Sequence, residues 1–245
     1  MLYLYDSITI VSRLQEEFWK VMGSDYLPEM EQNGMRLVGM FMMGIHYNEN
    51  LALWELDDWA TLDRIQELQD KHPLMKAWQR EAVDYITDFT GKVLQPAPFS
   101  PTLAKLKKGD YKSTIYLHTL AKVHPGKEDE YMEAVGKELK PMARRWGMKL
   151  VGCYKAVAGT ASSGEVINIW TAGNIHGEWV KIRAKSLKDP AYKKWEIEAG
   201  KWRPKVVYRF LYGLVPYSPL RTPFLQEPAA PEEVRTVAMP EVEWK

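Results

Sequence analysis

Apolar and polar positions alternate at the very start of the chain. In LYLYDSITI the aliphatic set is Leu2, Leu4, Ile8 and Ile10, and Tyr3, Tyr5, Ser7 and Thr9 fall on the other face. A period of two predicts a strand with different material against each side. The same alternation returns in IYLHTLAKV, where Ile115, Leu117, Ala121 and Val123 oppose Tyr116 and His118. Stretches rich in Glu, Lys, Met and aromatics follow each strand, predicting helices over Ser12 to Asn33 and Lys127 to Trp146. Pro28 and Pro141 would segment these helices, since proline removes a backbone donor. Gly34 and Gly147 would close them, as left-handed cap residues do. Second strands are expected in MRLVGMFMM and MKLVGCYKAV, and third strands in LALWEL (51–56) and VINIWTA (166–172). Helices broken near Pro73 and Pro190 would then cover Trp59 to Thr87 and Ile175 to Ala199. Final strands are expected near Lys92–Leu94 and over KVVYRFLYGLV (205–215).

The pattern is written twice. GMRLVG at 34–39 reappears as GMKLVG at 147–152, KHPLMKAWQREA at 71–82 as KDPAYKKWEIEA at 188–199, and PFSP at 98–101 as PYSP at 216–219. Internal repetition of this length marks a duplicated unit. Each copy reads β-α-β-β-α-β, the ferredoxin-like order. The expected class is therefore α+β, with a first module over 1–108, a second over 109–220, and a tail over 221–245. Helices on one face of an antiparallel sheet leave the other face apolar and exposed. Two copies can press those faces together as a barrel, whose interior either fills with side chains or holds one small ligand. Gly39 and Gly152 stand mid-strand, where glycine marks a bulge or a close approach.

Composition narrows the partners. Lys and Arg number 33 against 32 Asp and Glu, a balance that argues against a nucleic-acid surface. One cysteine, Cys153, allows no internal disulfide and fits a reducing, cytoplasmic setting, where Cys153 reads as a small core residue. The opening residues lack the charged and apolar regions of a signal peptide. No run reaches the roughly 18–20 apolar residues of a membrane helix. Ten Trp and 13 Tyr are the notable excess, suiting a lined cavity or an interface.

LPEMEQNGMRLVGMF, NLALWEL and HPLMKAW together resemble the NIPSNAP family, as do LKPMARRWGMKLVGCY, VINIWTA and DPAYKKW in the second copy. The segments after the third strands, Leu56-Asp57-Asp58 and Ala172-Gly173-Asn174, depart from the family pattern. The resemblance implies the dimeric α+β barrel superfamily, whose members include haem-dependent enzymes, cofactor-free monooxygenases, polyketide cyclases and proteins without catalysis. It carries no catalytic motif over to particular residues, because fold does not imply function.

Candidate chemistry comes from the faces of the strands. If helices cover the aliphatic faces, then Tyr3, Tyr5, Tyr116 and His118 point into the barrel. Trp54 and Trp170, at equivalent third-strand positions, and Asn168 beside Trp170 would add walls and a polar tip to that cavity. His118 is the expected acid or base, and Tyr5 or Tyr116 the expected donor to an oxyanion. Asp6 interrupts the aliphatic face and is expected to pair with a Lys or Arg. A haem would need an axial ligand from His46, His72, His118, His124 or His176, none on a final helix. No Cys-x-x-Cys and no helical pair of histidines is present, so no metal is expected. HGE (176–178) lacks the Pro-Cys-x-x-Cys of a zinc deaminase, and GTASSG (159–164) reads as a flexible hairpin tip rather than a phosphate loop.

The proline-rich tail is expected to lie as an extended arm, with Phe224, Val237, Met239 and Trp244 as anchors on a second copy of a homo-oligomer. The expected function is a cofactor-free enzyme acting by acid/base chemistry on a small hydrophobic or aromatic molecule, as an isomerase, lyase, cyclase or oxygenase. A haem enzyme or carrier, and a non-catalytic binding or stress-response protein, are the alternatives.

Overall fold

The computed structural model describes residues 1–44, 48–159 and 164–224. His46, the tip at 160–163 and the arm anchors Val237, Met239 and Trp244 lie outside the described residues. The first half runs β1 (Leu2–Ile10), α1 (Gln15–Val21), a π-helical turn (Met22–Tyr26), α2 (Leu27–Gln32), β2 (Arg36–Met43), β3 (Glu49–Leu56), α3 (Trp59–Lys71), α4 (Pro73–Ala82) and β4 (Ile86–Pro96). After α5 (Leu103–Lys108) the second half repeats it. It runs β5 (Ile115–Lys122), α6 (Glu128–Ala134), a π-helical turn (Val135–Leu139), α7 (Lys140–Trp146), β6 (Leu150–Gly159), β7 (Glu165–Thr171), α8 (His176–Lys188), α9 (Pro190–Ala199) and β8 (Lys205–Tyr212). No described helix is long and apolar enough to cross a membrane.

The strands close an antiparallel barrel in the order β1-β3-β2-β8-β5-β7-β6-β4. Two seams join the halves, and they are unequal. The β4–β6 seam is registered from Lys92↔Gly159 to Pro96↔Tyr154, whereas β2–β8 pairs only Met42↔Tyr212 and Met43↔Leu211. β4 is longer than the apolar run at 92–94 predicts. Its first half carries Thr87, Asp88, Thr90 and Gly91, which the ladder with β1 holds in place of hydrophobic burial.

Both expected helix breaks are π turns followed by proline. A proline at position two of α2 or α7 has no N–H to return, and the widened turn before it absorbs the extra residue. Gly23 and Gly136 sit in those turns. A Cβ on Gly23 would lie 2.7 Å from the Tyr217 ring, and one on Gly136 would lie 2.5 Å from the Phe99 ring. Tyr217 and Phe99 belong to the repeated PYSP and PFSP, so the segment that ends each half packs into the helix of the other. The serines of these segments complete the clasp. Ser218 Oγ accepts from Met40 N at 2.9 Å, and Ser100 Oγ accepts from Cys153 N at 3.0 Å while donating to Cys153 O at 2.8 Å.

These bonds fall just after Gly39 and Gly152, the glycines that close the repeat motif. The ladder slips register between Leu37 and Gly39, and again between Leu150 and Gly152. Such slips are β-bulges. At Gly152 a Cβ would stand 2.0 Å from the Tyr154 hydroxyl, and at Gly39 one would stand 2.6 Å from the Phe41 ring. The other motif glycines, Gly34 and Gly147, adopt φ of 91° and 103°, the left-handed region expected of helix caps.

Three apolar cores result. One lies between helices and sheet in each half, and the third fills the barrel with side chains from both halves. In the barrel, Tyr3 packs on Tyr154 at 4.8 Å between ring centroids and Phe41 on Tyr116 at 5.0 Å. Those two contacts are equivalent across the repeat, so the halves meet as like surfaces. Each such aromatic pair contributes about 0.5–1.5 kcal/mol beyond its area. Leu103 and Leu106 of α5 and Leu220 join this interior cluster.

Tyr154 differs from its counterpart Phe41 by one hydroxyl, which is buried with no hydrogen-bond partner. An unpaired buried hydroxyl costs about 1–3 kcal/mol. Tyr154→Phe is therefore expected to raise the urea midpoint by an amount worth about 1 kcal/mol. An unchanged or lower midpoint would show that the hydroxyl is satisfied.

Candidate functional site

The barrel-facing tyrosines hold structure together. Tyr3 Oη donates to Glu55 Oε2 at 2.7 Å, and that carboxylate also takes Leu103 N at 2.9 Å and Arg36 at 3.4 Å. Tyr116 Oη accepts from Ser113 N at 2.9 Å and shares its proton with the Leu220 and Tyr111 carbonyls at 2.8 and 2.9 Å. Tyr5 Oη and His118 Nε2 stand 3.2 Å apart. These two residues occupy the same position in the two copies, so their contact lies where the halves meet their own image.

Around that contact, β1 pairs Tyr5 with Lys92 and β5 pairs His118 with Arg209. Burial, with Arg209 and Lys92 adding to it, lowers the His118 pKa to about 3. Burial likewise raises the Tyr5 phenol above its ordinary value. The pair is a neutral phenol against a neutral imidazole, and His118 Nδ1 has no partner.

The expectation of one cavity shared by seven residues does not hold. Tyr5 registers with Leu53 and His118 with Ile169, so the next positions, Trp54 and Trp170, register with Leu4 and Leu117 on the helix-facing side. Asn168 shares that outer face with Trp170, since side chains alternate along a strand. Asp6 also lies there. Its Oδ2 accepts from Trp54 Nε1 at 3.0 Å, and no ion pair among the described residues reaches it, contrary to the expected Lys or Arg. The strands alternate as predicted; what differs is which face holds open space.

That space lies outside the barrel. A cavity of about 910 Å³ opens between the second half's sheet and its helices. Its lining from the sheet includes Leu117, Thr119, Asn168 and Trp170; from the helices come Tyr131, Leu139, Trp146, Arg183, Ser186 and Trp195. Tyr3, Tyr5, Tyr116 and His118 line neither this cavity nor the smaller one of about 370 Å³ in the first half. Local substitutions account for the difference in size. Tyr26 and Gln69, hydrogen-bonded at 2.9 Å over the Trp78 ring, occupy the first cleft. At the equivalent positions the second half has Leu139 and Ser186, beside the matching Trp195.

The large cavity is aromatic and positively edged. Arg203 is buried, ion-paired with Glu196 at 2.8 Å, and its guanidinium lies 6.0 Å from the Tyr131 centroid. Arg183 stands 6.0 Å from the Tyr192 centroid. Asn168 donates from Nδ2 to Thr119 Oγ1 at 3.2 Å, but its Oδ1 is buried without a partner, as is Trp195 Nε1. Exchanging the two ends of the amide would still leave one of them unpaired. One amide group and one indole N–H are thus unspent among the cavity-lining residues, and leaving each so costs about 1–3 kcal/mol that a ligand can recover.

Sequence reasoning named Trp170 and Asn168 as cavity residues but expected them in the barrel, and it missed Arg203, Trp195 and Tyr131. The signal was present as lost bulk between the copies, Tyr26 to Leu139 and Gln69 to Ser186. Cys153 is buried and its thiol is pushed up by burial, as a core residue. No group of three His, Cys, Asp or Glu side chains suited to a metal occurs among the described residues.

No protein-family profile matches the sequence, and no curated protein matches it. Solved structures do. A candidate monooxygenase from Lactobacillus acidophilus is 16% identical and superposes with a TM-score of 0.57, covering 86% of this chain and 92% of its own. An anthrone oxidase-like protein is 14% identical at a TM-score of 0.57, covering 86% of this chain and 90% of its own. A NIPSNAP domain protein from Burkholderia xenovorans is 24% identical but covers only 42% of this chain, at a TM-score of 0.39. The likeness of the first two is one of fold, the antiparallel α+β barrel.

The neutral His118 sets a pH dependence. Its folded pKa of about 3 lies below the ordinary 6.5, so between those values the unfolded chain binds the proton that the folded chain refuses. Its contribution to stability is complete above pH 6.5 and falls as pH drops toward 3, by up to about 1.4 kcal/mol per pH unit. Relative to the wild type, His118→Gln should lose less stability between pH 7 and pH 5 in urea melts. Parallel pH profiles would contradict the assignment.

Proposed function

We propose that the chain is two fused ferredoxin-like modules in which the second carries a cofactor-free enzyme site, in the helix-to-sheet cleft rather than in the barrel. The substrate is a flat aromatic or phenolic molecule with an acidic C–H or O–H, and the reaction is oxygenation by molecular oxygen. The observation that carries this reading is the large aromatic cleft with a buried arginine and two unspent polar groups on its lining. The names of the two whole-length structural neighbours, monooxygenase and anthrone oxidase-like, support it as analogy.

The chemistry asks three things of these residues. Two carboxylates line the cleft, Glu49 and Glu196, and Glu196, beside Arg203, is the one assigned to accept the substrate proton. Arg203 and the unspent Trp195 N–H stabilise the resulting enolate or phenolate, which is where preorganised charge acts most strongly, while Asn168 Oδ1 accepts from a substrate hydroxyl. The electron-rich carbon then reduces oxygen, and the hydroperoxide loses water to leave a carbonyl, so that one CH₂ and one O₂ become one C=O and one H₂O. Trp170, Trp146 and Trp195 keep bulk water from the anion. Among the described residues no histidine lines either cavity, so they offer a haem no imidazole ligand there.

Anthrone is a suitable first probe, with oxygen uptake followed at an electrode. Asn168→Leu is expected to lower kcat/KM by about tenfold or more, because a substrate hydroxyl then loses its acceptor at a cost of about 1–3 kcal/mol. His118→Gln should remain active. Loss of activity in His118→Gln with an intact Asn168→Leu would move the site back into the barrel. No uptake with anthrone and related phenols would remove the oxygenase reading.

A further inference from the structure

The first half keeps a cleft of its own, and its lining carries a carboxylate but no guanidinium. We propose that this cleft is a second binding site, for a small organic ammonium ion of arylalkylamine size. The cavity of about 370 Å³ lies between the outer sheet face and the helices of the first half. Three of its lining residues are Tyr26, Trp54 and Trp78, with ring centroids 6.0 Å apart for Tyr26–Trp54 and 4.4 Å for Tyr26–Trp78. Asp6 lines it too, and among the described residues is the only carboxylate that does so.

The surroundings of Asp6 ask for a cation. Trp54 Nε1 occupies Oδ2 at 3.0 Å, and the described residues bring no ion pair to the carboxylate. The charged and titratable side chains lining the cleft besides Asp6 are Lys92 from β4 and Tyr26 from the π turn; α3 presents the neutral Gln66 and Gln69. Lys92 is already spent, with its ammonium 2.7 Å from Glu165. Tyr26 accepts from Gln69 Nε2 at 2.9 Å. A carboxylate held in an apolar cleft without a counter-ion is costly. Aromatic rings attract cations, and a primary ammonium adds a charge-assisted hydrogen bond to the carboxylate. A neutral donor of the same shape would supply only the hydrogen bond.

The second half shows the contrast. The position of Asp6 is Thr119 there, and the cleft edge carries Arg183 and Arg203. The duplicated fold thus presents a carboxylate with no guanidinium in one cleft, and guanidinium groups together with Glu49 and Glu196 in the other. Burial, partly offset by the Trp54 hydrogen bond, pushes the Asp6 carboxyl up to about 7. The carboxylate, and with it ammonium binding, is therefore favoured as pH rises through 7.

The test is calorimetric titration of the full chain with benzylammonium, and with benzyl alcohol as its neutral counterpart. At pH 8 benzylammonium should bind at least about tenfold more tightly, a difference of roughly 1.4 kcal/mol. Its affinity should fall toward about tenfold per pH unit below 7, as Asp6 protonates. Asp6→Asn and Asp6→Thr should each lose the preference for the cation, with circular dichroism confirming that both fold. Asn168→Leu should leave it unchanged, which separates this site from the oxygenation cleft. Equal binding of the alcohol, retention of the preference in both Asp6 variants, or no heat with benzylammonium would each overturn the proposal.

Discussion

Everything in this chain follows from an apolar sheet face that one copy of the repeat cannot cover. Helices bury the outer side of the barrel strands, and the inner side is buried by side chains that both halves contribute. Equivalent residues therefore meet, Tyr3 with Tyr154 as Tyr116 with Phe41, and Tyr5 with its own counterpart His118. A surface that is complementary to its copy needs one solution repeated twice, the logic of an isologous interface inside a single chain.

The clasp makes that pairing specific. Each half ends in a proline-aromatic-serine-proline segment that reaches the other half. There its ring sits against a helical glycine and its hydroxyl takes a backbone N–H freed by the bulge. The bulge, the π turn and the segment are therefore one device. Without the bulge there is no free N–H, without glycine in the π turn there is no notch, and without the segment both would be defects. Covering both clasp sites fixes the orientation of the sheets more tightly than apolar contact alone, which is non-directional.

A packed barrel displaces function to the outside. Side chains of eight strands fill the interior, with His118 held neutral among them, and the two cavities described lie where helices stand off the sheet. There the copies have diverged. Tyr26 and Gln69 narrow one cleft, while Leu139 and Ser186 widen the other; Asp6 charges one negatively, while Arg183 and Arg203 charge the other positively. The duplication freed the two clefts from having to match, because the shared barrel stands on the residues that did stay matched.

The sequence by itself determined the period of every strand, the duplication, the proline breaks and the glycines at caps and bulges. These are local matters, decided by dihedral preference, by a missing N–H and by alternation of side chains. It also determined which residues share a face of one strand, Tyr3 with Tyr5, Tyr116 with His118, and Asn168 with Trp170. Only the tertiary structure decided which of those faces encloses space. Whether a face is packed or open depends on the summed volume of side chains contributed by distant segments, Leu103, Leu106 and Leu220 among them, and no local pattern encodes that sum. The partner of Asp6 was decided the same way. Strand register brought an indole N–H within 3.0 Å, and no cation arrived to compete.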